Sequence, residues 1–266
     1  MSNHNNQEWW TEEYGFFGDF YMEGDNSKEG YLISEKQNLK QRTLTEVDGI
    51  IKLLNIKTKS KILDCPCGYG RHSIELSKRD FIVTGADINS KHLSVAKSNT
   101  EKESIKTKFI KENMLDLNFQ LEFDAVINMF YSFGFFKSDE DNFKVLQNFY
   151  NALKPNGQFL MHTDVNIPFI EAGKYKHDEI RSLINGNALR IVDNYNPVTK
   201  RINGFWILKD ENGKEVKKKY SVRVYTKEEF TGLCIKVGFR FCNTYSNWNK
   251  KAYSKDSEDM IIIATK

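Results

Sequence analysis

The chain has no apolar run of 18 residues, so no stretch of it reads as a membrane-spanning helix. Its polar beginning, MSNHNNQEWW, lacks the apolar region of a secretory leader. It also has little net charge. Lys and Arg number 39 and Asp and Glu 36, leaving +3, so no global pull towards nucleic acid or a membrane surface is expected. Cysteine is scarce: Cys65, Cys67, Cys234 and Cys242 form neither a C-x-x-C pair nor a disulfide framework. Cys65 and Cys67 flank one turn and read more readily as small residues filling it than as a metal pair. No cluster of His, Asp and Glu asks for a metal. These absences predict a soluble protein of a reducing, cytoplasmic setting. At 266 residues it is one large domain, or a domain with an insertion, and long enough to bury a full core.

What is present is organised around Lys61 to Asn89, KILDCPCGYGRHSIELSKRDFIVTGADIN. Lys61 to Cys65 is a short apolar run of the kind that forms a buried parallel strand. Gly68 and Gly70 follow where the chain must turn sharply into a helix, and without Cβ atoms they let a ligand approach the backbone. The helix starts near Arg71, and its first free N–H groups can hold a carboxylate or phosphate. Phe81 to Ala86 is the next strand and ends at Asp87, whose carboxylate can accept both hydroxyl hydrogens of a ribose. The unit therefore predicts a nucleoside ligand with an anionic tail. The dinucleotide fingerprint G-x-G-x-x-G is incomplete, because Ser73 stands at the third glycine.

The string Asp64, Cys67, Gly68, Gly70, Arg71, His72 resembles motif I of the class I S-adenosylmethionine (SAM) dependent methyltransferases, D-x-G-C-G-x-G-R-H. Pro66 replaces its first glycine. The resemblance implies SAM as cofactor, held by Asp64, Cys67, Gly68, Gly70 and Arg71, with Asp87 and Ile88 at the ribose. It places adenine at Asn113 and Met114, where Asn113 stands for the usual aspartate and its amide oxygen can still accept a hydrogen bond. Asn128 would touch the methionine part of SAM. The stretch Asn128 to Gly134 resembles the N-M-F-x-S-F-G of a bacterial small-molecule methyltransferase group. The Asn/Asp-Pro-Pro-Tyr of nucleic-acid amino methyltransferases is absent.

Around this unit the pattern alternates strand and helix. Glu35 to Asn55 is an amphipathic helix. Arg42, off its apolar stripe, reads as a surface ion pair with Glu46, while the resemblance puts such a helix beside the cofactor's carboxylate. Ser90 is the expected N-cap of a helix to Thr100. Phe109-Ile110, Phe123 to Asn128 and Gln158 to His162 are expected strands, with a helix over Asp139 to Lys154. Residues 165–225 change texture into antiparallel strands, with a hairpin signal at Asn212-Gly213. Thr226 to Glu229 is a capping box. Two last strands, Phe239 to Tyr245 and Met260 to Thr265, complete the order 3-2-1-4-5-7-6 that the resemblance implies.

The expected fold class is α/β: a seven-stranded, mostly parallel Rossmann-like methyltransferase sheet with helices on both faces and a small antiparallel β insertion. The expected divisions are 1–34, an aromatic N-terminal cap; 35–164, the SAM-binding core; 165–225, a substrate-binding insertion; and 226–266, the completing helix and hairpin. The expected acceptor is a small molecule bound by Trp10, Tyr14, Phe130, Tyr131, His162 and Arg223. A packed structural role for His162 competes with a role as general base, with Tyr131 as second candidate base. Arg223 would orient an anionic acceptor through its planar fork. An RNA or protein methyltransferase and a non-catalytic SAM-binding protein stay open as alternatives, and oligomeric state is not legible.

Overall fold

The computed structural model describes residues 8–28, 37–130 and 132–266. The expected boundary at residue 34 falls among the others, as does Tyr131.

Along the chain, turns over 9–17 lead into α1 (Asp19–Gly24) and α2 (Leu39–Leu54). Then come β1 (Lys61–Asp64), α3 (Arg71–Lys78), β2 (Ile82–Asp87), α4 (Ser90–Lys102), β3 (Lys108–Lys111) and β4 (Phe123–Asn128). They are followed by α5 (Asp139–Ala152) and β5 (Leu153–Thr163). The inserted part holds α6 (Ile167–Glu171), β6 (Asp178–Ser182), β7 (Ala188–Asn196), β8 (Arg201–Lys209) and β9 (Glu215–Arg223). The end is α7 (Lys227–Val237), β10 (Phe241–Tyr245) and β11 (Met260–Thr265).

The main sheet runs β10-β11-β5-β4-β1-β2-β3. The five strands β5-β4-β1-β2-β3 are parallel, and β11 lies antiparallel between β5 and β10. This is the 3-2-1-4-5-7-6 order in another numbering. Strands buried on both faces must be apolar throughout, and Ile62, Leu63, Ala125, Val126, Ile127, Leu160, Ile261 and Ile262 are all fully buried. One face packs on α5 and α7 through Phe149, Phe159 and Phe230. The other packs on α2 and α3 through Val47, Ile50 and Leu76.

A second sheet, β6-β7-β8-β9, is antiparallel throughout. Its Leu189, Trp206 and Leu208 pack against Phe16 and Phe20 of the N-terminal segment. The approach is so close that a Cβ at Gly24 would stand 2.7 Å from the Trp206 ring. The main sheet meets this layer at Gly134, whose carbonyl accepts the Arg223 N–H at 2.9 Å. Gly134 has φ 101°, and a Cβ there would lie 2.1 Å from the Arg223 carbonyl oxygen.

Several local expectations shift. Asn89, not Ser90, caps α4, its side chain accepting the His92 N–H at 2.9 Å. Helix α5 ends at Ala152, because Leu153 is already extended and its pairing with Phe123 starts β5 early. Strand β6 was not foreseen. Its five side chains alternate between exposed and half-buried and none is buried, so it carries no apolar signal.

Candidate functional site

The turn after β1 is shaped by its glycines in two different ways. Gly68 (φ 55°) has open space beside it, with no atom nearer than 3.9 Å to where a Cβ would be. Its N–H donates to Asp87 Oδ2 at 2.8 Å, and the Asn89 N–H donates to Asp87 Oδ1 at 2.8 Å. Gly70 (φ 82°) is closed in, because a Cβ would meet Ala96 Cβ at 2.8 Å and the Phe109 ring at 3.1 Å. Its role is to let α3 and α4 pack, not to approach a ligand.

These residues open onto a cavity of about 100 Å³, among whose lining residues are Cys67, Gly68, Arg71, Asp87, Ile88, Asn113 and Met114. Asn113 Oδ1 accepts the Leu115 N–H at 3.0 Å, which fixes the turn. Trp10, Tyr69, His92 and Glu112 also reach this cavity. Asp64 and Asn128 do not. Asp64 is buried behind the turn, accepts the Ser73 hydroxyl at 2.6 Å, and has its carboxyl pushed up to about 7 by burial. Asn128 is fully buried and donates to the Cys65 carbonyl at 2.9 Å, tying β4 to the start of the turn. Both are supports beneath the loop.

Under the cavity lies a charge cluster built on Arg42 and Glu46, the pair that the helix pattern reads as a surface ion pair. Arg42 and Glu46 are both buried. Arg42 Nη2 reaches Asp25 Oδ1 at 3.1 Å, and its Nε lies 3.5 Å from Glu46 Oε1. Glu46 Oε2 takes the Arg71 guanidinium and His72 Nε2, the latter at 2.9 Å. Burial works against the Glu46 carboxylate, yet Arg71, His72 and Arg42 hold it below the usual carboxylate range. Burial, aided by Arg71, pushes His72 down to about 4, so the ring is neutral at pH 7. The guanidiniums of Arg42 and Arg71 lie 4.6 and 4.4 Å from the Phe130 ring centre. Phe130 itself sits at φ 53°, a conformation a bulky residue holds only under constraint.

A second cavity of about 210 Å³ adjoins the first. Phe17, Tyr21, Asp25, Phe130, Ser132 and Phe135 line both. Its far wall comes from the second sheet and includes Trp206, Tyr220 and Asp193. The Asp193 carboxylate accepts the hydroxyls of Tyr175, at 2.7 Å, and Tyr220. Asp164, just past the end of β5, also faces this space.

Three side chains expected at the acceptor lie elsewhere. His162 lines neither cavity. Its ring stacks on Trp248 (5.1 Å) and meets Phe130 edge-on (5.0 Å), with Nε2 3.5 Å from Asp259. Burial opposes its charge, but the Asp259 carboxylate outweighs it and raises the ring's pKa. Arg223 points away from both cavities, to Glu229 at 3.3 Å and over the Tyr225 ring. Tyr14 docks the N-terminal segment on β9, its hydroxyl accepting the Lys219 N–H at 3.0 Å. Strand alternation explains the first case. Met161 and Thr163 face the α5 and α7 side, so His162 must face the α2 side. Trp10 and Phe130 do line cavities, and Tyr131 is outside the described residues. Missed by sequence reasoning were Asp25 and Tyr69, which sit in turns, and Asp193, inside β7, where a strand pattern does not single out one acidic side chain.

Comparison with known proteins agrees with this geometry. Residues 62–157 match the family model described as a methyltransferase domain. A Bacillus subtilis protein described as a methyltransferase is 24% identical over 80% of this chain and 86% of its own length. The glycine/sarcosine N-methyltransferase of Aphanothece halophytica is 32% identical over 59% of each chain. Among solved structures, a SAM-dependent methyltransferase from Clostridium acetobutylicum superposes with TM-score 0.70. It is 18% identical, and the match covers 84% of this chain and 91% of that one.

Proposed function

We propose that this chain, a class I SAM-dependent methyltransferase, binds SAM in the cavity beside the glycine turn and transfers its methyl group to a small molecule in the adjoining cavity. The observation that carries the reading is the pair of cavities sharing Phe17, Tyr21, Asp25, Phe130, Ser132 and Phe135 as a common wall. Two cavities that adjoin along shared residues can bring a methyl carbon and an acceptor atom into line, as an in-line displacement between two bound molecules requires.

In this reading Asp87 takes the ribose hydroxyls, its oxygens already oriented by Gly68 and Asn89. Met114, Ile88 and the Asn113 turn flank the adenine, and Cys67 and Gly68 lie along the cofactor. Arg42 and Arg71, stacked on Phe130, face the cofactor's carboxylate end. Asp64 and Asn128 keep the turn in shape from beneath. The sulfonium is an activated leaving group, so alignment and exclusion of water do most of the work. The N-terminal segment acts as cap and the 165–225 insertion as acceptor wall.

The aromatic lining supports a small acceptor, as does the likeness to enzymes named for glycine and sarcosine. An RNA reading needs an open basic groove, whereas the side chains facing the second cavity are mainly aromatic and acidic. The experiment is incubation with isotope-labelled SAM and two pools, small metabolites and bulk RNA. Label in the small-molecule pool supports the reading. Salt-sensitive label in RNA favours the alternative, and SAM binding without turnover in either pool favours a non-catalytic protein.

A further inference from the structure

The second cavity is unusual in what its polar groups have left to offer. Five carboxylates line it, Asp25, Asp164, Glu179, Asp193 and Glu258, against three cations, Arg42, Lys176 and Arg181. The cations are engaged: Arg42 with Asp25 and Glu46, Arg181 with Glu179, and Lys176 with Glu179 at 3.8 Å. Asp193 is engaged by two tyrosine hydroxyls. Asp164 differs. Among the described residues no side chain hydrogen-bonds its carboxylate, which is supported by its own backbone N–H and faces the cavity just beyond the strand end next to β4. A carboxylate taken partly out of water with so little donation is costly unless the ligand brings further donors.

We infer that the acceptor is a primary or secondary amine, bound as its ammonium, and that Asp164 both recognises it and takes its proton. This rests on the two-cavity reading above. The walls are rich in aromatic rings, Phe17, Tyr21, Phe135 and Trp206 among them, whose ring electrons tolerate a nearby cation better than aliphatic side chains do. Burial raises the Asp164 carboxyl above its ordinary value, which brings it nearer to a proton acceptor's range.

The step balances. The ammonium N–H passes its proton to a carboxylate oxygen of Asp164, which frees the nitrogen lone pair. That pair attacks the SAM methyl carbon. The carbon–sulfur bond breaks with its electrons kept on sulfur, giving the neutral thioether product. The nitrogen ends as the N-methylammonium, and Asp164 returns its proton to water. One methyl group moves and one proton is released.

The test uses matched amine and alcohol probes: tyramine against tyrosol, and glucosamine against glucose. Each is titrated onto protein saturated with S-adenosylhomocysteine, with binding read by saturation-transfer NMR. Methyl transfer from SAM is read in parallel by mass spectrometry. The expected result is that an amine binds about tenfold or more tighter than its alcohol, as expected for a charge-assisted contact. The same amine gains one methyl mass. Asp164→Asn, checked for folding by its melting temperature, erases the preference while S-adenosylhomocysteine affinity stays within about twofold. Equal binding of the paired probes, no binding of either amine, or a preference that survives Asp164→Asn overturns the inference. Failure of S-adenosylhomocysteine to bind at all is a different result and sinks the two-cavity reading itself.

Discussion

The backbone N–H of Gly18 donates to Nε2 of His92 at 2.9 Å, across 74 residues of sequence. That bond clamps the N-terminal segment to α4, directly over the cofactor cavity that His92 also lines. It requires Nε2 to be unprotonated. Burial lowers the His92 pKa, although the Asp87 carboxylate nearby pulls the other way, so the clamp is closed at neutral pH.

His92→Ala removes the acceptor and leaves the Gly18 donor without it. Loss of one buried hydrogen bond costs about 1 kcal/mol or more. The expected outcome is about a five- to tenfold weaker cofactor affinity, with faster hydrogen exchange in residues 8–24 measured by mass spectrometry. Unchanged exchange there would show that the segment is held by its aromatic contacts alone.

Stability should fall as pH drops through the range in which His72 is held neutral. The unfolded chain takes up this proton near pH 6.5, whereas the folded chain resists until about pH 4. Between these values the unfolded state binds more protons, so the His72 contribution is fully present above 6.5 and lost progressively down to 4. The loss is at most about 3 kcal/mol. Urea unfolding at pH 7.5 and pH 4.5 measures it. His72→Gln should flatten the slope, and an identical slope in the variant would assign the acid loss to other groups.

His162→Ala should cost stability far more than turnover. It removes a ring packed between Trp248 and Phe130 and leaves the buried Asp259 without its partner, about 3 kcal/mol in all. Methyl transfer per folded molecule should stay within a few-fold. A loss of a hundredfold or more at little change in melting temperature would instead restore the general-base role.

The main-sheet strands were legible because buried parallel strands are apolar along their whole length, whereas their order came from the resemblance to the class I methyltransferases. The capping box at Thr226 and Glu229 was legible because its chemistry is local, and both of its hydrogen bonds are present. The glycine turn was legible for the same reason. Arg42 and Glu46 were misplaced because a helix pattern tells which face is apolar, not that a charged pair lies under a loop arriving from elsewhere. Their partners Asp25, Arg71 and His72 are 17 to 30 positions away from Arg42 in sequence. Asp164 could be placed near a strand end. Only the three-dimensional arrangement distinguishes it from His162 two residues earlier: His162 is still held in β5 and packs on Trp248, whereas Asp164 lies past the strand end and lines the cavity.

The central claim is that the glycine-turn cavity holds SAM, and Asp87 is its most direct probe. Calorimetric titration with S-adenosylhomocysteine should show one binding site in the wild type and no heat with NAD. Asp87→Ala should weaken that binding by about ten- to a hundredfold, the range for losing charge-assisted hydrogen bonds to a ribose. Binding of NAD, or an Asp87→Ala protein with wild-type affinity for S-adenosylhomocysteine, would contradict the account.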